Sequence, residues 1–297
     1  MLFRSGPKYY AAFRRSCLEM IQKYGVNYFK FDGLATGTYA SGAGPDYLAD
    51  TEAMGRLISE LRQAELDLYI NLTTGSWPSP FWLRSVDSLW RQGDDTSYRG
   101  QGTHQQQWLT YRDSETWKNI VRRAPLFPLN SLMSHGITYS RHGNPSDPTY
   151  TSAGLKDEIR AYFGSGTSLQ ELYIQPERLT VADWTVLAEA AKWSRANADV
   201  LVDTHWIGGS PGKDEVYGWA SWTPRKGILV LRNPDDKPAD FIAEVKNIFE
   251  LPTGAVNTFH LRSPWKKDRS QPEIKIGISE PYTFHLKPFE VLVLETK

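Results

Sequence analysis

YFKFDG, residues 28–33, is a short apolar run that carries a lysine and an aspartate two positions apart and ends at a glycine. Side chains two residues apart in a β-strand point to the same face. The stretch therefore predicts a strand with Phe29 and Phe31 on one face and Lys30 and Asp32 on the other. A charged pair at such a strand end is either an ordinary solvated ion pair or part of a functional site, and the rest of the sequence decides between them.

Strands and helices alternate on either side of this stretch up to about residue 203. Four more strands are predicted at 66–72, 86–91, 125–132 and 168–174. Helical patterns separate them, and the strands recur roughly every 20 to 40 residues, which is typical of parallel βα units. The sequence therefore predicts an α/β domain built like a barrel of parallel strands.

The pattern changes after Asp203. Short alternating strands and turn signals such as NPDD at 233–236 follow one another to the end of the chain. These features are typical of antiparallel sheets. We therefore predict a barrel-type domain at 1–204 and an antiparallel β-sandwich domain at 205–297.

Composition limits the classes of partner. Lys and Arg together number 34, as do Asp and Glu, so the net charge is zero and neither nucleic acid nor a membrane surface is an expected partner. The 11 Trp, 15 Tyr and 12 Phe favour sugar binding, because flat rings stack on pyranose faces. No ligand spacing indicates a metal, no phosphate loop is present, and no cofactor is expected.

Two aspartates follow alternate predicted strands. Asp32 ends the first strand, and Asp94 follows the third in WRQGDD. Functional side chains of parallel barrels lie at these carboxyl ends, and strands two apart are separated by roughly 10 Å. Two converging carboxylates are what a glycosidase uses. Lys30 would favour the ionised, nucleophilic form of Asp32, and Arg91 would either bind sugar hydroxyls or position the acid.

Both stretches resemble a known enzyme family. YGVNYFKFDG at 24–33 looks like the nucleophile strand, and SLWRQGDDTSY at 88–98 like the acid/base region, of the melibiase-type α-galactosidases, glycoside hydrolase families 27 and 36. The resemblance implies a retaining (β/α)8-barrel enzyme followed by a β-sandwich. It implies Asp32 as nucleophile, Asp94 as acid/base with Asp95 as the alternative, and Lys30 and Arg91 as sugar contacts.

One departure concerns the sugar. Where the family has Cys-Glu-Trp or a Cys-Ser-Gly-Gly type sequence, this chain has NLTTGSW at 71–77. Smaller hydroxyl residues there leave room for a 2-acetamido group, so an α-N-acetylgalactosaminidase is an alternative to an α-galactosidase. Thr73, Trp77 and His135 are candidate substrate contacts. A raffinose-synthase-like transglycosidase and a non-catalytic carbohydrate-binding fragment are further alternatives.

A second departure concerns length. The first predicted strand matches the family's fourth, and about five C-terminal βα units are visible instead of eight. We therefore expect the chain to be the C-terminal part of a longer enzyme, with a shorter, divergent architecture as the alternative. The favoured location is periplasmic or secreted. Oligomeric state stays open.

Overall fold

The computed structural model describes residues 5–33, 47–73, 77–139 and 150–296. The chain divides into two compact units. The first is Met1–Asp94, Lys118–Phe127 and Ser131–Met133, and the second is Asp95–Trp117, Pro128–Asn130 and Ser134–Lys297. The boundary predicted near residue 204 separates two types of secondary structure rather than two contact units, and it stays a prediction.

Four parallel strands form the sheet of the first unit, in the order β1–β2–β3–β4. They are β1 (Tyr28–Phe31), β2 (Tyr69–Leu72), β3 (Ser88–Trp90) and β4 (Leu132–Met133). The first three lie where the sequence predicts them. The strands that precede Asp32 and Asp94 therefore flank β2, which is the arrangement that the parallel barrel prediction requires.

Two helices of this unit, α1 (Pro7–Tyr24) and α2 (Leu48–Ala64), pack against each other. A proline occupies the first turn of α1, where its missing N–H costs nothing. Gly25 ends α1 in the left-handed conformation, with φ 66°, and donates its N–H to Ile21 O at 3.0 Å. Phe13 of α1 meets Phe31 edge-on at 6.0 Å, which fixes the apolar face of β1 towards the helix.

The strand predicted at 125–132 is wrong for most of its length. Turns and a 3-10 helix at Leu129–Ser131 occupy this region, and β4 begins only at Leu132. Pro125 and Pro128 have no N–H to give to a sheet, so the apolar pattern there is a packed loop rather than a strand.

Two further parallel strands, β5 (Ile137–Tyr139) and β6 (Leu172–Ile174), pair with each other in the second unit. The sequence predicts β6 but not β5. Gly136 precedes β5, and a Cβ on it would lie 1.4 Å from Glu171 O, so only glycine permits this approach. The described residues thus contain six parallel strands, one more than the about five predicted βα units.

Helices of the second unit begin at threonine caps. Thr103, Thr151 and Thr180 accept a backbone N–H at the starts of the three long helices. The helices are α3 (His104–Thr116), α4 (Ser152–Gly164), α5 (Val181–Ala196) and the short α6 (Ala198–Leu201). Among the described residues, no helix combines the length and apolar character needed to cross a membrane.

An antiparallel sandwich completes the second unit, as the sequence predicts. Its strands and one short helix are β7 (His205–Gly208), β8 (Tyr217–Thr223), β9 (Lys226–Arg232), β10 (Ala239–Ala243), α7 (Val245–Ile248), β11 (Thr258–Arg262), β12 (Ile274–Gly277), β13 (Tyr282–Leu286) and β14 (Val291–Thr296). Six strands form one sheet in the order β12–β11–β14–β9–β8–β7, and β10 pairs with β13. One apolar cluster joins the two sheets, including Leu229, Leu231, Phe259, Phe284 and Leu286.

A buried ionic network links α3 to the large sheet within this unit. The Arg112 guanidinium donates to both Asp113 carboxylate oxygens, at 2.8 and 3.3 Å. The Tyr217 hydroxyl donates to Asp113 Oδ2 at 2.6 Å and accepts from Arg232 Nη1 at 2.9 Å. All four side chains are almost fully buried. Because a buried charge without its partner is costly, this network ties the helix to one position on the sheet.

Glu158 of α4 extends the network. Its Oε1 accepts from Trp108 Nε1 at 2.9 Å and from the Thr138 N–H at 3.1 Å, and lies 3.9 Å from Arg112 Nη1. Burial destabilises the charged carboxylate, whereas Arg112 and the two donors stabilise it. The effect of burial is the larger one, so the pKa of Glu158 is raised to about 7.

Glu158 is expected to make folding stability fall as pH rises. The pKa of Glu158 is about 7 in the folded protein and 4.5 in the unfolded chain. Its contribution to the free energy of unfolding is therefore fully present below pH 4.5 and is lost as the pH rises through 7. In Glu158→Gln this fall should flatten. Urea unfolding of both proteins at several pH values measures the difference. Glu177→Gln, at an exposed site, is the matched control, and parallel curves for Glu158→Gln and the unmodified protein would contradict the assignment.

Candidate active site

The carboxylate of Asp32 is held at the end of β1. Its Oδ1 accepts the Gly33 backbone N–H at 2.7 Å and the Thr73 hydroxyl. Gly33 has φ 69°, a backbone conformation that glycine adopts without strain. Thr73 follows β2, and its N–H donates to Phe31 O at 3.1 Å, which places it beside Asp32. Two donors on one oxygen fix the orientation of the carboxylate.

A polar row crosses the first three strands on the face that carries Asp32. The register pairs Lys30 with Asn71, and Asn71 with Ser88, so the three side chains share one face. Asn71 Nδ2 donates to Ser88 Oγ at 2.8 Å, and both residues are fully buried. Phe29 and Phe31 stack at 5.5 Å on the opposite face, as the alternation in YFKFDG predicts.

Sequence analysis did not single out the Asn71–Ser88 pair. A partial signal was present, because Asn71 and Thr73 are polar residues two positions apart in YINLT (69–73), and Ser88 is a single polar residue in the apolar strand SLW (88–90). Polar side chains at a buried strand face need partners, and here they find each other.

Arg91 supports the backbone that carries Asp94. Its guanidinium is fully buried and donates to Gln92 O at 2.5 Å and to Asp94 O at 3.0 Å. The chain turns through two left-handed residues, Gln92 with φ 69° and Gly93 with φ 91°. Asp94 itself is exposed. Both contacts are to backbone carbonyls, and the two roles considered for Arg91 stay predictions.

Asp32 and Asp94 both belong to the first unit and follow strands that flank β2. Neighbouring strands lie about 4.8 Å apart, so the backbones of β1 and β3 are roughly 10 Å apart. Side chains that lean towards each other from these positions can bring two carboxylates to the separation that glycosidases use.

The remaining candidates are placed differently. Trp77 is partly buried, and its carbonyl accepts the Ser79 N–H at 2.7 Å, while residues 74–76 lie outside the described residues. Asp95, exposed, and His135, buried, belong to the second unit. The His135 ring stacks on Tyr173 at 4.4 Å. The roles of these three residues stay predictions.

The described residues contain no group of three or more His, Cys, Asp or Glu side chains placed to hold a metal ion. The candidate residues described above include carboxylates, hydroxyls and an amine. Such groups can attack a carbon centre, transfer a proton and bind sugar hydroxyls.

No protein-family model matches the sequence, and no curated protein matches it by sequence comparison. Many solved structures are similar in fold, and they include the following three. A family 27 β-L-arabinopyranosidase from Geobacillus stearothermophilus has a TM-score of 0.64 and 13% identity, covering 96% of this chain and 61% of its own. A putative α-N-acetylgalactosaminidase from Bacillus halodurans has a TM-score of 0.60 and 14% identity, with the same coverage.

The third is a family 36 α-galactosidase from Geobacillus stearothermophilus in complex with raffinose, with a TM-score of 0.68 and 8% identity, covering all of this chain and 39% of its own. At these identities the likeness concerns the fold. It confirms the predicted glycosidase-type architecture, a partial (β/α)8 barrel with a β-sandwich. The chain spans between 39% and 61% of the length of these structures.

Proposed function

We propose that the protein is a retaining glycoside hydrolase that cleaves terminal α-galactosides. Asp32 attacks the anomeric carbon and forms a glycosyl ester, while Asp94 gives its proton to the departing glycosidic oxygen. Asp94 then takes a proton from water, which attacks the same carbon and releases the sugar with its configuration retained. No cofactor takes part in these steps.

The observation that carries the proposal is the way Asp32 is held. A carboxylate that must attack from one side gains from a fixed orientation, because a pre-positioned nucleophile avoids an entropic cost in the transition state. The Gly33 N–H and the Thr73 hydroxyl both bind Oδ1. Lys30, on the same strand face, is assigned to a sugar hydroxyl.

The experiment that tests the proposal is an assay with p-nitrophenyl α-galactoside, with product anomers followed by proton NMR. It is run on this chain and on the longest polypeptide that its gene encodes. The α-anomer should appear first. Initial release of the β-anomer, or no turnover by either polypeptide, would contradict the proposal.

The N-acetylgalactosaminidase alternative has a specific basis in Thr73. At this strand end the chain has a small hydroxyl side chain, and one of the similar structures is a putative α-N-acetylgalactosaminidase. The same assay with p-nitrophenyl 2-acetamido-2-deoxy-α-galactoside separates the two. A higher kcat/KM for the acetamido substrate would move the assignment to that sugar without changing the roles of Asp32 and Asp94.

Thr73→Val is expected to lower kcat by roughly ten- to a hundredfold, since a hydrogen bond to a charged group contributes about 1.5–3 kcal/mol. Thr73 is a positioning residue here, so KM should change little. Thr73→Ser keeps the hydroxyl and is the matched control. Equal losses in the two variants would indicate a packing role instead.

A further inference from the structure

A cleft on the β-sandwich lies outside the candidate active site. It has a volume of about 510 Å³ and is walled by the β8–β9 hairpin, the start of β11 and the segment before β12. Its aromatic wall is Trp222, and polar groups come from Thr258, His260 and Glu273. Pockets of roughly 300–1,000 Å³ with a few converging polar groups are typical of small-molecule sites.

Trp222 offers the cleft a flat apolar surface. Its cross-strand partner in the hairpin is Gly227, which has no side chain to cover the indole. The ring is only partly buried, although its other side packs against the sandwich core. The backbone N–H of Trp222 donates to Asp203 Oδ2 at 2.9 Å, which fixes the main chain that carries the indole. The indole is therefore held in place with part of its surface open.

The charged groups of the cleft are already matched within the protein. Lys226 Nζ lies 2.6 Å from Glu295 Oε2, and Arg225 Nη2 lies 3.3 Å from Asp199 Oδ2. His260 Nδ1 lies 2.5 Å from Glu273 Oε1. Because each of these groups already has a partner of opposite charge, an ionic ligand gains less from binding them. A neutral ligand with many hydroxyls can instead donate to the carboxylate and accept from the cations while the pairs stay intact.

We propose that this cleft is a non-catalytic binding site for a neutral oligosaccharide, whose pyranose ring stacks on Trp222 while its hydroxyls bind Glu273, His260 and Thr258. A neighbouring cleft of about 580 Å³ shares Glu273, but its described lining has no aromatic residue. Because the first cleft offers an aromatic ring for stacking, we assign the ligand to it. The proposal does not depend on catalysis at Asp32.

The test uses the full chain carrying Asp32→Asn, so that a sugar is not consumed, with ¹⁵N-labelled tryptophan. Raffinose is titrated to about 50 mM, a range that detects millimolar affinity. The Trp222 indole signal, identified by its absence in Trp222→Phe, should move and saturate. The charged sugar galacturonic acid is titrated in parallel and should bind more weakly.

Glu273→Gln, followed through the Trp222 indole signal, is expected to weaken raffinose binding by about tenfold or more. Trp222→Ala, which lacks that signal, is followed by titration calorimetry and should show a loss of similar size. Trp184→Ala, an exposed tryptophan outside the cleft, is the matched control and should bind raffinose normally. Glu273→Gln changes an exposed side chain, so it tests the site even if Trp222→Ala is unstable. No movement of the Trp222 signal, equal affinity in Glu273→Gln, or tighter binding of galacturonic acid would overturn the proposal. Turnover of p-nitrophenyl α-galactoside by the unmodified protein tests the proposed function, and its outcome does not affect the test of this cleft.

Discussion

Asp32→Asn is expected to abolish turnover of α-galactosides, with a fall in kcat of at least about 10⁴-fold. The amide has nearly the shape of the carboxylate and can still accept from Gly33 and Thr73 through its oxygen, but it cannot attack the anomeric carbon. Folding should therefore be unchanged. The measurement is kcat with p-nitrophenyl α-galactoside, together with the urea midpoint of unfolding.

Asp67→Asn is the matched control for this loss, because Asp67 is an exposed aspartate in the turn before β2 of the same unit. It should retain full activity. Azide added to Asp32→Gly provides a positive test, since a small anion can enter the space of the missing carboxylate and attack in its place, which yields a β-galactosyl azide. Full activity in Asp32→Asn would exclude Asp32 as nucleophile.

Asp94→Asn is expected to lose activity in proportion to the need of the leaving group for a proton. For raffinose, whose leaving oxygen is basic, kcat/KM should fall by about 10²–10⁴-fold, the usual contribution of a general acid. For 2,4-dinitrophenyl α-galactoside, whose leaving group departs without protonation, kcat/KM should stay within about tenfold. The ratio of the two losses is the diagnostic quantity.

Asp95→Asn is the control that separates the two adjacent aspartates. The contacts of Arg91 with Gln92 O and Asp94 O hold the backbone up to Asp94, and we propose Asp94 as the acid. Asp95→Asn should then lower kcat/KM equally for both substrates, or not at all. If Asp95→Asn shows the leaving-group dependence and Asp94→Asn does not, the assignment between the two residues is reversed.

The sequence predicts the site-bearing strands because their local pattern and their tertiary role agree. YFKFDG alternates charged and aromatic residues, and β1 places them on opposite faces as the alternation requires. The segment at 125–132 has the apolar content of a strand, but its prolines remove the N–H groups that a sheet needs.

Other features have no local signal at all. Tyr217 and Asp113 are 104 residues apart in the chain, and nothing in the sequence near either one shows that they share a hydrogen bond. The sequence leaves two roles open for Arg91, a sugar contact and positioning of the acid, and its complete burial depends on how the following turn folds over it. Such contacts belong to tertiary packing and are seen only in the structure.

In the proposed mechanism, Asp32 becomes covalently attached to the sugar. Incubation with 2,4-dinitrophenyl 2-deoxy-2,2-difluoro-α-galactoside slows both chemical steps, because fluorine destabilises the positively charged transition states, while the reactive leaving group still allows the first step. Peptide mass spectrometry then locates the adduct. We expect one difluorogalactosyl group on Asp32 and none in Asp32→Asn. An adduct on a different carboxylate, or turnover without any adduct, would contradict it.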